Sequence, residues 1–279
     1  MVPHEKLRFK QMSPAHVTKK RRDNQMEFSR RTTELEKEQG IKNLEEFIET
    51  ISQELQEDNV PVDSECRIDI NAFKTHYAPG TIERDKKRTE QIKSEWQDND
   101  SDEIQTGEKL EMLKTAIFHK HLKQDFIVAR STLRDDFDNG VDNIIMEKST
   151  GNVVCAFDEV ADVSGSFYQE KIKKVLDKNI HHDGASLKYG LGLDPKTKKV
   201  IPEGLAHIPI FYLALPEGHV NQMVKNFSPS SKSEHETKLF RYFISSLLTQ
   251  IKALDLKISV LHPELRKKLQ VFEQTIKKL

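Results

Sequence analysis

The sequence predicts a mixed α/β protein, in the wider sense that includes α+β, with one central mixed sheet and a helical N-terminal region. Two observations carry this. Over residues 107–256 the apolar spacing alternates between helical and strand periods in the order α-β-β-β-α-β-α. Ser149-Thr150-Gly151-Asn152 also separates two apolar runs in the manner of a hairpin turn. The chain therefore divides into a helical, partly flexible region with a basic arm (1–100), an α/β core (107–256) and a C-terminal amphipathic helix (257–279).

Residues 14–56 read as two helices. Pro14 after Ser13 is a helix start, Gly40 punctuates, and Ile41, Leu44, Phe47, Ile48, Ile51 and Leu55 then form one apolar stripe. Pro61, Pro79 and Gly80 break 58–80 into irregular chain, with Ile68 and Ile70 as a short strand. Residues 81–97 are a polar helix, and the acidic run 97–106 is the main boundary. The core begins with a helix over 107–124. Strands at Phe126–Thr132, Val141–Glu147 and Val153–Val160 follow, then a helix at Ser166–Lys178. The glycines of 181–195 suit a bent strand or hairpin turning at Asp194-Pro195-Lys196-Thr197. Ile208–Leu215 is nearly continuous apolar sequence, as expected of a strand buried on both faces. Residues 234–256 and 263–279 are closing helices, whose apolar faces could pack back on the core, form a homodimer or lie on a phosphate backbone.

Composition narrows the function classes. Charged residues make up 32 % and the mean hydropathy is −0.66, so part of the chain is expected outside any core. No apolar run approaches the roughly 18 residues of a membrane span. The first residues show no secretory h-region. The two cysteines, Cys66 and Cys155, are far apart and exclude a disulfide scaffold or zinc ribbon. A soluble, cytoplasmic protein with no membrane partner is the expectation. Net charge is only −1, yet residues 1–31 hold nine Lys/Arg against three acids. Lys19, Lys20, Arg21 and Arg22 are thus candidate nucleic-acid contacts; the competing reading, which such charge runs favour, is a solvated helix face or a loose arm.

The hairpin carries the chemistry. A three-residue loop ending in a left-handed Gly151 pairs Lys148 with Asn152 and sets Asp142 opposite Asp158. A loop of two or four residues sets Asp142 opposite Glu159 instead. Either register brings two carboxylates within about 5 Å at the open end of the hairpin. Such a pair repels unless a cation or shared proton intervenes. Oxygen ligands of this kind suit Mg²⁺ or Mn²⁺. The competing reading is two strand-end acids bridged to Lys171 or Arg134.

The run α-β-β-β-α-β, with Asp142 opening the second strand and Asp158-Glu159 closing the third, resembles the PD-(D/E)XK nuclease superfamily over residues 107–216. The resemblance implies a restriction-endonuclease-like core and a Mg²⁺- or Mn²⁺-dependent phosphodiesterase acting on nucleic acid. It also implies a carboxylate from the first helix, Glu108 or Glu111. The motif is degenerate: Val141 replaces the proline, and Val160 or Ala161 stands where the lysine belongs. Lys171, Lys174 or Lys188 would then supply that charge. The segments NGVD, AFDE and GASLKYG are also similar to a bacterial family to which no function attaches. A nuclease-like binding module without catalysis, for nucleic acid or protein, is the alternative that Val160 favours. The polar helical N-terminal third favours a helical interaction protein.

The remaining motifs read as structural. Arg134–Gly140 is an acid-rich turn from which Asp135 could join the metal site. His119 and His121 point apart on a helix. His181-His182-Asp183 is a solvent-exposed loop cluster, and Cys155 is a packing residue.

Overall fold

The computed structural model describes residues 14–97, 102–161 and 163–277. The N-terminal region contributes α1 (Pro14–Glu57) and α2 (Thr81–Gln97). The α/β region follows as α3 (Asp102–Leu122), β1 (Phe126–Arg130), α4 (Leu133–Asn139), β2 (Asn143–Glu147), β3 (Val153–Val160), α5 (Ser166–His181), β4 (Ala185–Leu193), β5 (Val200–Ile208) and β6 (Ile210–Ala214). The chain closes with α6 (Glu217–Lys225), α7 (Glu234–Asp255) and α8 (Pro263–Ile276).

A four-stranded mixed sheet, ordered β1-β2-β3-β6, forms the centre. β2 runs antiparallel to both neighbours, and β6 lies parallel to β3. Its strands are buried nearly throughout, which explains why they read as apolar runs and not as alternating ones. β4 and β5 form a separate two-stranded sheet. They turn at Asp194, whose carboxylate accepts the Lys196 and Thr197 N–H groups, the turn expected there.

The hairpin pairs Asn143 with Phe157, Ile144 with Ala156 and Ile145 with Cys155. The ladder ends there: the Asp142 N–H bonds Phe157 O at 2.8 Å and its carboxylate accepts the Glu159 N–H, so Asp142 lies beside the end of β3 and not in a paired position opposite Asp158. The turn itself is one residue longer than expected: Glu147 N–H bonds Asn152 O at 3.0 Å, and Gly151 N–H bonds Glu147 O at 2.8 Å. An irregularity between Ile145 and Met146 absorbs the extra residue. Gly151 is left-handed (φ +72°), as the turn requires.

Three local expectations are corrected. Residues 14–57 form one helix, not two. Gly40 marks a crossing: a Cβ there would lie 2.4 Å from Val224 O, so the missing side chain lets α6 press against α1. Residues 133–139 are a helix, not a turn. Thr132 Oγ1 caps it by accepting Asp135 N–H at 3.1 Å, Asp135 and Asp136 occupy the first turn, and left-handed Gly140 ends it. α6, over 217–225, is an additional helix that buries Val220 and Val224.

One cluster of buried apolar side chains runs from Leu44 through the sheet to Ile276, so apolar residues of all three predicted segments meet in it. The faces of α7 and α8 that could have served a dimer are buried within the chain, through Phe243, Leu247, Leu265, Leu269 and Phe272. No helix among the described residues is long and apolar enough to cross a membrane. Lys19, Lys20, Arg21 and Arg22 fall within α1, but their side chains lie outside the described part.

Candidate functional site

The site forms where β2 begins and β3 ends. Adjacent residues of a strand project to opposite faces, and β3 uses both. Phe157 stacks on Phe118 of α3 at 5.4 Å, and Glu159 on the same face contacts the Lys114 ammonium of that helix. Asp158 turns the other way and pairs with Lys171 of α5. Asp142 stands between these halves, held by the Glu159 N–H, which donates to its Oδ2 at 2.6 Å.

Two further carboxylates border Asp142. Glu111 of α3 accepts Arg130 Nε and Nη2, both at 2.9 Å, and Arg67 Nη2 at 3.1 Å. Asp136 of α4 lies 3.7 Å from Arg67 Nη1. Glu108, one turn earlier on α3, is exposed and reaches the cluster only as a charge felt by Arg130. Of the two first-helix candidates, Glu111 therefore lies in the cluster, bound to two guanidiniums.

The charges respond to this crowding. Burial, then the Asp158 and Glu111 charges, push the Asp142 carboxyl up to about 7 against the pull of Lys171 and Lys114. Burial raises Asp136 strongly too, and Asp142 and Glu111 add to the effect. Burial would also raise Glu111, but Arg67 and Arg130 win and lower it to about 2. Lys171 goes the other way. Burial opposes its charge, yet Asp158 and Asp142 raise it above the ordinary lysine value. Burial lowers the fully enclosed Lys114 to about 7.

The lysine candidates separate cleanly. Lys171 reaches Asp158. Lys174 and Lys178, on the same face of α5, flank Gly140: a Cβ there would lie 3.6 and 3.7 Å from their Nζ atoms and 3.5 Å from Asp158 Oδ2. Lys188 is not with them. Its Nζ bonds Asp85 Oδ2 of α2 at 2.5 Å, beside Tyr189 OH on the same oxygen at 2.6 Å. Strand β4 is fixed in this position by Asp135, which accepts the Lys188 and Tyr189 N–H groups at 2.7 and 2.9 Å. Asp135 is thus a structural clamp and not a fifth ligand. Sequence reasoning missed Lys114, Arg67 and Arg130. Arg130 stands in an apolar strand, the one signal that marked it as paired.

No family model, curated protein or solved structure matches the chain. Among the described residues no three of these carboxylates bring donor atoms within 4.8 Å of one another; Asp183, His207 and His262 do.

Proposed function

We propose that the chain is a metal-dependent nuclease hydrolysing phosphodiester bonds in DNA or RNA through a restriction-endonuclease-like core. The observation that carries this reading is Asp142: buried, flanked by Asp158 and Glu111, and without an ion pair of its own among the described residues. The αβββαβ order around it, with α4 and the β4–β5 hairpin as insertions, supports the same reading.

The donors fit a hard divalent cation. They are oxygens only, and a dication would offset both the burial and the neighbouring carboxylate charges that raise Asp142. Asp142 and Asp158 would hold Mg²⁺ or Mn²⁺, with Asp136 alongside. When bound, the ion would lower the pKa of a water and offset charge on phosphate oxygens. The chain's own groups divide the remaining work. Lys171, kept cationic by Asp158 and Asp142, donates hydrogen bonds and positive charge to phosphate and takes no proton. The Glu159 N–H fixes the orientation of Asp142. Lys114, wholly enclosed, positions Glu159 and does not meet substrate. Glu111 anchors Arg67 and Arg130 and acts as a structural charge.

A second reading, a binding module without catalysis, is favoured by one observation. Glu111 and Asp158 already have cationic partners, so much of the cluster is balanced by side chains alone.

Incubating the protein with single- and double-stranded DNA and RNA, in Mg²⁺, Mn²⁺ or EDTA, separates the two. The nuclease reading expects metal-dependent cleavage that Asp142→Asn and Asp158→Asn abolish together with metal affinity. Lys171→Ala should lower turnover and leave Mn²⁺ affinity nearly unchanged. Absence of cleavage under every condition, with Mn²⁺ binding unaltered by either Asp substitution, establishes the binding module instead.

A further inference from the structure

We infer that Asp183, His207 and His262 form a metal site of the zinc class, distinct from the carboxylate cluster. The three residues come from separate elements: the turn after α5, the penultimate position of β5 and the residue preceding α8. One donor atom from each lies within 4.8 Å of the others. Nitrogen and oxygen ligands about 2.0–2.1 Å from a tetrahedral zinc sit about 3.4 Å apart. The difference is within the reach of side-chain rotation.

The imidazole chemistry supports the assignment. His207 Nδ1 lies 3.2 Å from the Asp183 carbonyl oxygen, an acceptor only, so Nδ1 carries the proton and Nε2 keeps its lone pair. Metal-ligating histidines characteristically donate their other ring N–H to a carbonyl in this way. The His262 ring stacks on His207 with centroids 3.8 Å apart and planes 5° from parallel. The ring lone pairs lie in these parallel planes and run side by side, so joint ligation requires one imidazole to rotate out of the stack toward the ion. His262 Nδ1 accepts the Glu264 N–H at 3.3 Å, a long cap on α8. Binding at either nitrogen ends that cap: Nδ1 would give its lone pair, and Nε2 ligation would move the proton to Nδ1. The competing interaction is therefore one weak hydrogen bond.

The surroundings suit an ion. Asp183 is exposed and the histidines are half-buried, leaving an open side for a water ligand. Two cations lie nearby: Lys268 bonds Ala206 O at 2.7 Å, and burial lowers its ammonium below the ordinary lysine value, while Arg266 Nη2 bonds Leu261 O at 3.3 Å. Glu264 in the first turn of α8 offsets the Lys268 charge. Two imidazoles and one carboxylate favour Zn²⁺ over Mg²⁺, the reverse of the all-oxygen set at Asp142. A bound ion would tie α8 to the β4–β5 sheet and to the end of α5.

The test uses the full chain with Zn²⁺ alone, and with Co²⁺ as a spectroscopic probe. Substitutions are chosen to keep the fold. Asparagine at 262 is a good helix cap, and asparagine at 207 tolerates the left-handed backbone there (φ +56°). The wild type should bind one equivalent of Zn²⁺, show tetrahedral Co²⁺ bands and melt at a higher temperature with zinc. His207→Asn and His262→Asn should each weaken zinc tenfold or more and abolish the bands. His182→Asn should change neither. Asp142→Asn should also leave zinc binding intact, so failure of the nuclease reading would not touch this one. Zinc binding equal to wild type in both histidine variants, or no zinc binding at all, overturns the proposal. If one variant fails to fold, the other decides.

Discussion

Replacing Glu111 by glutamine removes the one negative charge shared by two buried guanidiniums. Arg130 and Arg67 contact it through three hydrogen bonds of 2.9–3.1 Å, and their side chains are only 1 % and 7 % exposed. Burial alone would raise the Glu111 carboxyl; the guanidiniums instead lower it from 4.5 to about 2. That difference corresponds to about 3 kcal/mol in favour of the ionised carboxylate in the folded chain. Removing one member of a buried pair elsewhere costs about 3–5 kcal/mol, so the two magnitudes agree. The sign with pH follows from the depressed value. The stabilisation is complete well above pH 4.5 and is lost as pH falls toward about 2. At about pH 3 less than half of it should remain. Urea unfolding of wild type and Glu111→Gln, followed by far-UV circular dichroism between about pH 7 and pH 3, measures both terms. The variant should lose about 3 kcal/mol at neutral pH, with the gap narrowing on acidification. A loss below about 1 kcal/mol, or a gap that ignores pH, would refute a buried, charge-paired Glu111.

Gly40→Ala should destabilise by about 1–3 kcal/mol in a thermal melt although alanine is the better helix former, because its Cβ meets the Val224 carbonyl at 2.4 Å; a gain in stability would remove the tight α1–α6 crossing. Asp135→Ala should cost about 2–4 kcal/mol, since it leaves the Lys188 and Tyr189 N–H groups without their acceptor; chemical denaturation measures it. Both thiols should resist an aromatic disulfide reagent in the native protein and react in denaturant, because burial pushes Cys66 up to about 12 and raises Cys155 strongly. Rapid reaction of either in the native state would contradict their burial.

What the sequence revealed and what it hid follow the range of the interactions involved. The hairpin was legible because its determinants are local: Gly151 supplies the left-handed turn, and the apolar runs on either side fix the pairing. The residue gained at the turn and absorbed by the strand irregularity was not legible, since no glycine, proline or break in the apolar run marks the shift at Ile145 and Met146. Gly40 misled for a related reason. A glycine within a helical pattern signals a break on local grounds, whereas here the contact that requires it lies 184 residues away at Val224. The Thr132 cap and Gly140 stop of α4 were in the sequence, and the density of acids between them suggested a turn. At the site, Asp142, Asp158 and Glu159 could be brought together from strand register alone. Lys188 could not be excluded that way, because Asp85 on α2 holds it elsewhere. Nor could Arg67 be found: it arrives from an irregular segment whose bridge to Arg130 has no sequence signature.

The pattern of pairing also says which carboxylate is the informative one. Glu111 meets Arg67 and Arg130, Asp136 lies near Arg67, Asp158 meets Lys171 and Glu159 meets Lys114. Among these carboxylates Asp142 alone has no contacting cation in the described residues, and it lies beside Asp136, whose carboxyl is raised by burial and then by the Asp142 and Glu111 charges. A dication there would supply the positive charge that Asp142 lacks. A purely structural ion-pair network has no need of the odd charge; asparagine at 142 would keep the oxygen that accepts the Glu159 N–H and remove the repulsion. Asp142→Asn therefore separates the two readings through stability alone. If Asp142 is only an unpaired buried charge, removing it should stabilise the metal-free chain and leave its response to Mn²⁺ unchanged. If it is the charge the cluster keeps for an ion, the variant should again be more stable without metal, but Mn²⁺ should raise the melting temperature of the wild type only.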